Sequence, residues 1–224
     1  PFSTSSSPYL NNLSSVIEAE FIDRQNLLRH HCPYTCNAPI PSHALQSLQG
    51  HLGSIAFHAS SRDVVHIAWF VSNCNTYSRR EDFVAKLRSQ PGIRVDIFGG
   101  CKSMYHSASV PFQCQKGTPK CTDQILSSYR FYLSFENSKC DTYITEKYWI
   151  QGTNGRAVPI VLGARTDEYR RIAVPNSYIH VDDFPSVEHL AEALHRLNQN
   201  DTAFGQYLQW TQLYDVSAQY HPML

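Results

Sequence analysis

The sequence predicts an α/β fold, a doubly wound, Rossmann-like sheet of parallel strands with helices on both faces. Short apolar runs alternate with helical patterns from residue 64 to residue 210. Several runs, such as Val64–Val71, are almost continuously apolar, which is typical of strands covered on both faces. Because strand and helix alternate, the sheet is expected to be parallel, with its ligand site at the carboxyl ends of the strands.

The first half of this pattern forms one strand-helix-strand unit. Val64–Val71 is the first predicted strand, and Arg80–Arg88 is a helix with its apolar residues on one side. Pro91 and Gly92 end that helix, and Ile93–Phe98 is the next strand. A long insertion without periodicity follows, from Gly99 to Thr122, and loops of this length usually need a functional or covalent reason.

The second half starts with a short helix over Asp123–Tyr129, followed by the central strand Phe131–Phe135. The polar residues Asn137 to Thr142 cannot continue that strand, and Ile144 with Tyr148 restarts a helical period. The remaining predicted elements are the strand Ala157–Leu162, the helix Asp167–Ile172, the strand Ser177–Val181 and the helices Ser186–Leu197 and Asp201–Trp210.

Composition limits the classes of function. The chain has 224 residues and a hydrophobic content of 42%, enough for a sizeable core, so it is not a disordered chain. Its 19 basic and 19 acidic residues cancel, and no broad field attracts nucleic acid or an anionic membrane. Any phosphate that the protein binds must therefore be held locally.

Cysteine usage predicts a lumenal protein with disulfides, although buried free thiols remain the alternative for each cysteine. Two sequons, at Asn12 and Asn200, agree with glycosylation in that compartment. The segment His30–Cys36 has zinc-ligand residue types, but it has no second ligand pair at finger spacing, so a disulfide or loop is favoured. The seven cysteines are at positions 32, 36, 74, 101, 114, 121 and 140.

The ends of the chain differ from its centre. We predict an N-terminal remnant at 1–62, partly disordered and with one helix over Val16–Arg29, a Rossmann-like domain at 63–214 and a tail at 215–224. No run reaches the ~18 to 20 apolar residues of a membrane span, and the first residues do not form a signal peptide.

The turn after the central strand is the strongest candidate site. The first turn of a helix leaves backbone N–H groups unpaired and favours anions, and Thr145 and Lys147 are expected there. Lys147 suits a phosphate, whereas Glu146 would repel one and is better used as an acceptor for sugar hydroxyls. Together these residues indicate a nucleoside diphosphate that carries a sugar.

Four ordered motifs make the sequence closely resemble the α-1,3-fucosyltransferases of glycosyltransferase family ten. The resemblance extends from Val64 to Trp210 and does not cover the first sixty residues. The motifs are Phe135-Glu-Asn-Ser138, Tyr143-Ile-Thr-Glu-Lys147, Val158-Pro-Ile-Val-Leu-Gly163 and Tyr178-Ile-His-Val-Asp-Asp-Phe184.

The resemblance implies the C-terminal, donor-binding domain of a GT-B glycosyltransferase, with an incomplete N-terminal domain. It implies inverting transfer of fucose from GDP-β-L-fucose to the 3-hydroxyl of N-acetylglucosamine in a glycan or glycoprotein acceptor. No cofactor would be required, and a divalent cation would at most stimulate. Members are type II membrane proteins of the Golgi, so a similar protein would have its signal-anchor helix outside these residues.

The resemblance also assigns donor-binding residues. Glu146 would bind the ribose hydroxyls, and Lys147 and Tyr143 the diphosphate. Asn137 would orient the donor, and Glu136 would lie near it. Arg80 would contact the phosphates, with the adjacent Arg79 as the alternative; a solvated helix start is the non-functional reading of these charges.

Three other groups are expected to be structural. The acidic pair at 182–183 resembles a metal site superficially, but helix capping is favoured. His180 and Trp149 are expected in the core. No metal site is predicted.

The sequence departs from the family in two places. The family's catalytic glutamate lies in the first domain, and residues 1–62 offer only Glu18, Glu20 and Asp23, none in a matching segment, so no base is identified. Relatives carry Asn-Ala-Leu where this chain has Gln151-Gly-Thr, and Gly152 and Gly155 each weaken the helix by about 1 kcal/mol. A nucleotide-sugar binding protein without catalysis is therefore the alternative, whereas another nucleotide-sugar transferase is disfavoured by the motifs.

Overall fold

The structure is a computed structural model that describes residues 62–101 and 119–212, with side chains from residue 121 onward in the second range. The predicted helix Val16–Arg29, the segment His30–Cys36, the sequon at Asn12 and most of the insertion lie outside these ranges. The domain limits at 62 and 214 therefore stay predictions.

Five parallel strands form one sheet with the order β2-β1-β3-β4-β5. The predicted fold class is thus confirmed. The direction of winding reverses between β1 and β3, and that switch point is where open α/β sheets bind ligands. The strands are β1 Val65–Phe70, β2 Ile93–Phe98, β3 Phe131–Phe135, β4 Val158–Leu162 and β5 Ile179–His180.

Helices cover both faces of the sheet. The α-helices are α1 Arg80–Arg88, α2 Pro119–Leu126, α3 Thr166–Ile172, α4 Val187–Gln199 and α5 Asp201–Gln206, with a π-helix at Lys147–Gly152 and 3₁₀ turns at Val181–Asp183 and Gln209–Gln212. None of the helices in the described ranges has the length and apolarity to cross a membrane.

Apolar strand residues are buried on both faces. Ile67, Trp69 and Phe131 belong to the cluster on one face, which helices α1 and α4 cover. Ala68 and Tyr132, one position further along β1 and β3, belong to a second cluster. Because successive side chains of a strand point to opposite faces, a continuous apolar run requires this two-sided cover.

A buried arginine holds the C-terminal helices to the start of β3. Arg130 donates from Nη1 to Asp201 Oδ1 at 2.8 Å, and its guanidinium lies 3.9 Å from the centre of the Phe204 ring. Arg62 donates to the same carboxylate at 2.8 and 2.9 Å. Asp201 therefore joins helix α5 to two distant parts of the chain.

The prediction of disulfides is confirmed among the described residues. Cys74, after β1, is bonded to Cys101, after β2, which ties together two loops at the carboxyl edge of the sheet. Cys121 is also disulfide-bonded. Cys140, by contrast, is an exposed free thiol.

Several element boundaries differ from the prediction. The predicted helix at Ile144 is one stretch of π-helix, in which Thr153 N–H donates to Tyr148 O at 2.9 Å, five residues back. The strand predicted at Ser177–Val181 has only two residues because Ser177 turns inward and bonds the Tyr148 hydroxyl at 2.7 Å. Helix α2 begins four residues before the predicted start, and α5 ends four residues before the predicted end.

Candidate functional site

The loop after β1 is fixed to the end of β3 at the switch point. Three consecutive carbonyl oxygens of β3 and its exit accept hydrogen bonds from this loop and the first residue of α1. Arg80 donates to Phe135 O. Ser78 Oγ donates to Glu136 O at 2.7 Å, and Ser78 N–H donates to Asn137 O at 3.0 Å. These hydrogen bonds place the predicted donor-binding residues at one edge of the sheet.

Arg80 and Arg79 have opposite environments. Arg80 is 2% exposed, and its Nη2 donates to Asn73 O at 3.0 Å, so its guanidinium connects the ends of β1 and β3. The Arg79 side chain is 79% exposed and contacts Asp82 at 2.6 Å. Of the two predicted candidates, Arg79 is the one that faces solvent, and Arg80 supports the loop from inside.

Glu136 is fully buried at the carboxyl end of β3. Its Oε1 accepts from the backbone N–H of Thr145 at 2.8 Å and from the Thr145 hydroxyl at 2.7 Å. Its Oε2 accepts from Lys147 Nζ at 2.7 Å. The space for this side chain comes from Gly163, where an added Cβ would lie 2.7 Å from Glu136 Cγ.

Lys147 and Glu146 lie between the buried Glu136 and solvent. The Lys147 side chain is 17% exposed, and its ammonium also donates to Thr145 Oγ1 at 3.0 Å. The Glu146 side chain is 48% exposed, with Oε1 3.8 Å from the Lys147 ammonium. Lys147 is thus held by its neighbours while part of its surface stays open to solvent.

Tyr143 and Asn137 complete the set of predicted residues. Tyr143 is 37% exposed and begins the segment that ends at Lys147. Asn137 is half-buried, and its Oδ1 is a buried atom that finds no hydrogen-bond partner among the described residues. Buried amide oxygens are normally satisfied, so this acceptor suits a donor group supplied by a ligand.

Sequence reasoning missed Glu168, a buried acid on helix α3. Its Oε1 accepts from the backbone N–H of Thr142 at 2.8 Å, and its Oε2 accepts from the N–H of Arg165 at 3.1 Å. An acid at the third helical position is a capping signal that the sequence did offer. Its reach to Thr142, 26 residues earlier, depends on the tertiary fold and leaves no mark in the local sequence.

Of the residues expected to be structural, His180 lies in the core and Trp149 is half-buried. The acidic pair at 182–183 lies in the 3₁₀ turn after β5 and does not cap helix α4, whose N-cap is Ser186. His180 is buried; its Nε2 lies 3.0 Å from Ala164 O, and its Nδ1 accepts from Asp182 N–H. Asp183 pairs with Arg170 at 3.2 Å. Among the described residues, no group of three or more potential metal ligands occurs.

An aromatic cluster supports the π-helix from behind. Tyr148 contacts the rings of Trp149 and Tyr169 at centroid distances of 4.9 and 5.6 Å. Its hydroxyl accepts from Val174 N–H at 2.9 Å, and burial raises the pKa of Tyr148 to about 12. The hydroxyl therefore stays protonated, and its hydrogen bonds fix the position of Tyr148, which directly follows Lys147.

Comparisons with known proteins agree with this geometry. The sequence model of the glycosyltransferase family 10 (fucosyltransferase) C-terminal region matches residues 60–223. The chain is 42% identical over 149 residues to the α-(1,3)-fucosyltransferase fut-1 of Caenorhabditis elegans, covering 66% of this chain and 32% of that protein. It is also 42% identical over 145 residues to glycoprotein 3-α-L-fucosyltransferase A of Drosophila melanogaster, covering 64% of this chain and 27% of that protein.

Solved structures support the fold. A crystal structure of an α1,3-fucosyltransferase aligns with a TM-score of 0.52 and 21% identity, covering 79% of this chain and 47% of that one. A second, crystallised with GDP-fucose, aligns with a TM-score of 0.50, also at 21% identity, covering 80% of this chain and 50% of that one. The chain thus spans about a third of the length of the two curated relatives named above and about half of these solved chains.

Proposed function

The chain belongs to glycosyltransferase family 10, the fucosyltransferases, and from that premise we propose that it binds GDP-β-L-fucose and provides the donor half of an α-1,3-fucosyltransferase. The reaction would transfer L-fucose, with inversion, to the 3-hydroxyl of N-acetylglucosamine in a glycan or glycoprotein. Inversion and this acceptor come from the resemblance to the family.

The observation that carries the proposal is the position of Lys147 at the switch point. Its ammonium is bonded to Glu136, which directly follows Phe135, the residue that accepts from Arg80. The partly exposed Lys147 ammonium therefore lies at the carboxyl end of β3, where an open α/β sheet binds its ligand, and the buried Arg80 supports the loop beside it. A nucleoside diphosphate needs positive groups at such a point, because the protein as a whole has no net charge.

Four of the six predicted donor-binding residues have a proposed contact with the donor in this arrangement. Lys147 and Tyr143 would bind the diphosphate, and Glu146, which faces solvent, would accept hydrogen bonds from the ribose hydroxyls. Asn137 would use its unsatisfied Oδ1 for a hydroxyl of the donor. Arg80 would support the loop after β1 from inside. The adjacent Arg79, which is exposed, is the alternative arginine for the phosphates.

Transfer of the sugar requires stabilisation of the leaving diphosphate. As the bond to the sugar breaks, negative charge builds on GDP, and a fixed ammonium in a partly desolvated site stabilises it. The anomeric carbon becomes oxocarbenium-like, and a carboxylate must take the proton of the acceptor hydroxyl. We propose that no cofactor is required and that a divalent cation is at most stimulatory, which an assay with and without EDTA tests.

The expected partners are GDP-fucose and a glycan acceptor, without nucleic acid. The proposed compartment is the Golgi lumen, where a full-length type II protein would be held by an anchor outside these residues. The confirmed disulfide agrees with an oxidising compartment.

A second candidate is a nucleotide-sugar binding protein without catalysis. The two buried acids at the site, Glu136 and Glu168, already accept hydrogen bonds from Thr145, Lys147, Thr142 and Arg165. Neither of these two described carboxylates is free to take a proton from an acceptor, and this supports the second candidate.

One experiment distinguishes the two candidates. The chain is titrated with GDP and GDP-fucose by calorimetry, and GDP release is measured with an N-acetylglucosamine-terminated glycan, for the wild type, Lys147→Ala and the control Lys86→Ala. Loss of charge-assisted bonds worth about 1.5 to 3 kcal/mol predicts a ~10- to 150-fold weaker GDP affinity only in Lys147→Ala. Binding without release supports the second candidate, and absence of GDP binding in the wild type contradicts both.

A further inference from the structure

The segment Thr142–Lys147, which we call the 142–147 loop, carries three of the six predicted donor-binding residues but little regular structure. Thr142, Tyr143 and Glu146 are exposed, and only its last residue belongs to the π-helix. Its own backbone bonds are short-range, such as Ile144 N–H to Thr142 O at 3.0 Å. A loop of this kind needs external anchors to present its side chains in one geometry.

We propose that Glu136 and Glu168 are those anchors: positioning residues that hold the 142–147 loop in the conformation that binds the diphosphate. The inference rests on the proposed function, because it assigns how the site is held and what Glu136 does there. It differs from the sequence prediction, which assigned Glu136 to donor binding.

Glu136 anchors the end of the loop. Its side chain is fully buried, and its two oxygens accept from Thr145 N–H, the Thr145 hydroxyl and the Lys147 ammonium. With its carboxylate enclosed in this way, it presents no surface to a ligand. Its effect on binding is therefore to fix the direction of the Lys147 ammonium.

Glu168 anchors the start of the loop from another element. The residue is 3% exposed on helix α3, and it connects Thr142 N–H to the N–H of Arg165 at the beginning of that helix. Thr142 has a left-handed backbone with φ of 57°, which is unfavourable for a β-branched residue. The hydrogen bond that Thr142 N–H donates to Glu168 helps to maintain that conformation.

The two anchors act on opposite ends of the same six-residue segment, which carries three side chains predicted to touch the donor, those of Tyr143, Glu146 and Lys147. Preformed geometry of this kind reduces the ordering cost of binding. Loss of either anchor does not alter Tyr143 or Glu146 themselves, but it no longer holds their side chains in one position. The expected consequence is weaker diphosphate binding without loss of the fold.

The test uses Glu136→Gln and Glu168→Gln in the full chain, with Glu192→Gln as the matched control, because Glu192 is 66% exposed on helix α4 and contacts only Arg196, at 4.0 Å, among the described ion pairs. We expect GDP dissociation constants at least ~10-fold higher in the two site variants and unchanged in the control. Calorimetry is performed well below the unfolding temperature of each variant. A constant within twofold of the wild type in both folded site variants overturns the proposal.

Amide hydrogen exchange separates positioning from a general loss of stability. Glu168→Gln should accelerate exchange at Thr142, and Glu136→Gln should accelerate it at Thr145, whereas Leu133 in β3 should be unchanged. If a variant does not fold, the wild type still decides: unprotected amides at Thr142 and Thr145 contradict the proposal. These measurements need no ligand, so a failure of GDP binding would count against the proposed function alone.

Discussion

Lys147 has two roles that mutation can separate. Lys147→Ala removes the cation from a fully buried carboxylate, and breaking a buried ion pair in this way costs about 3 kcal/mol of unfolding free energy, at the lower end because Thr145 still bonds Glu136. Adding Glu136→Gln removes the uncompensated charge. We expect the double variant to recover most of the stability but not GDP affinity, as measured by urea unfolding and calorimetry.

The double variant can also contradict a direct role of Lys147 in diphosphate binding. If Lys147→Ala with Glu136→Gln binds GDP as tightly as the wild type, Lys147 acts only by neutralising Glu136. The ammonium would then have no direct part in diphosphate binding.

Asp96 gives the fold an acid-sensitive contribution. Burial raises the pKa of this carboxyl, but hydrogen bonds from His66, Arg94 and Tyr129 outweigh burial and hold the pKa below its usual value. A depressed pKa in the folded state contributes stability above the unfolded value, about 4, and that contribution is lost as pH falls. Asp96→Asn should therefore destabilise the protein at pH 7 and differ progressively less from the wild type below pH 4.

Urea unfolding of wild type and Asp96→Asn at pH 7, 5, 4 and 3 measures this dependence. Asp167→Asn is a suitable control, because its pKa is also lowered, first by Arg165, but its side chain is 70% exposed on α3. A constant difference between Asp96→Asn and the wild type across this range would contradict the assignment.

Residue identity could be predicted at the site better than residue environment. The motif around Lys147 indicated a cation at the turn, and the structure has it there. The sequence could not distinguish the buried Arg80 from the exposed Arg79, because the two are adjacent and the left-handed Arg79, with φ of 51°, decides which one points inward. Direct contact of either arginine with phosphate stays a prediction.

At the scale of elements, the strand predictions held where apolar runs are long and bounded by turn residues. The bounds of β2, β3 and α1 agree with the sequence pattern residue for residue. The π-helix and the two-residue β5 were not predictable, because both depend on tertiary contacts of Tyr148 with Ser177 and Val174. Periodicity reports which face of a segment is apolar, and it carries no information on such contacts.

The junction after β4 depends on the absence of a side chain at Gly163. A Cβ there would lie 2.7 Å from Glu136 Cγ and 2.8 Å from Glu136 Cβ, closer than real contacts. Gly163→Ala should displace Glu136, lower the unfolding free energy by about 1 to 3 kcal/mol and weaken GDP binding. Gly100→Ala is the matched control, because its nearest neighbours would lie 3.6 Å away.

Thermal unfolding and GDP calorimetry on both glycine variants provide the measurement. Equal behaviour of Gly163→Ala and Gly100→Ala would show that the region around Glu136 can adjust and that its close packing is not needed.

At the scale of the whole molecule, the candidate site and the ion pair between Arg130 and Asp201 lie at opposite edges of the sheet. The predicted donor-binding residues follow the carboxyl ends of β1 and β3, whereas Arg130 and Asp201 meet at the amino end of β3. A modification near Asp201 is therefore expected to leave the donor site unaffected.

Asn200 offers such a modification, because it combines a sequon with a helix cap at the amino edge of the sheet. Its Oδ1 accepts from Ala203 N–H at 3.0 Å, and a glycan would attach through the amide nitrogen, so capping and glycosylation use different atoms. Thr202→Ala removes the sequon and keeps the cap, whereas Asn200→Gln removes both and costs about 1 kcal/mol. Secreted from a eukaryotic host, both variants should lose one endoglycosidase-sensitive mass shift relative to the wild type, and both should keep its GDP affinity. Only Asn200→Gln should unfold at a lower temperature; no mass difference from the wild type would show that Asn200 is not glycosylated in that host.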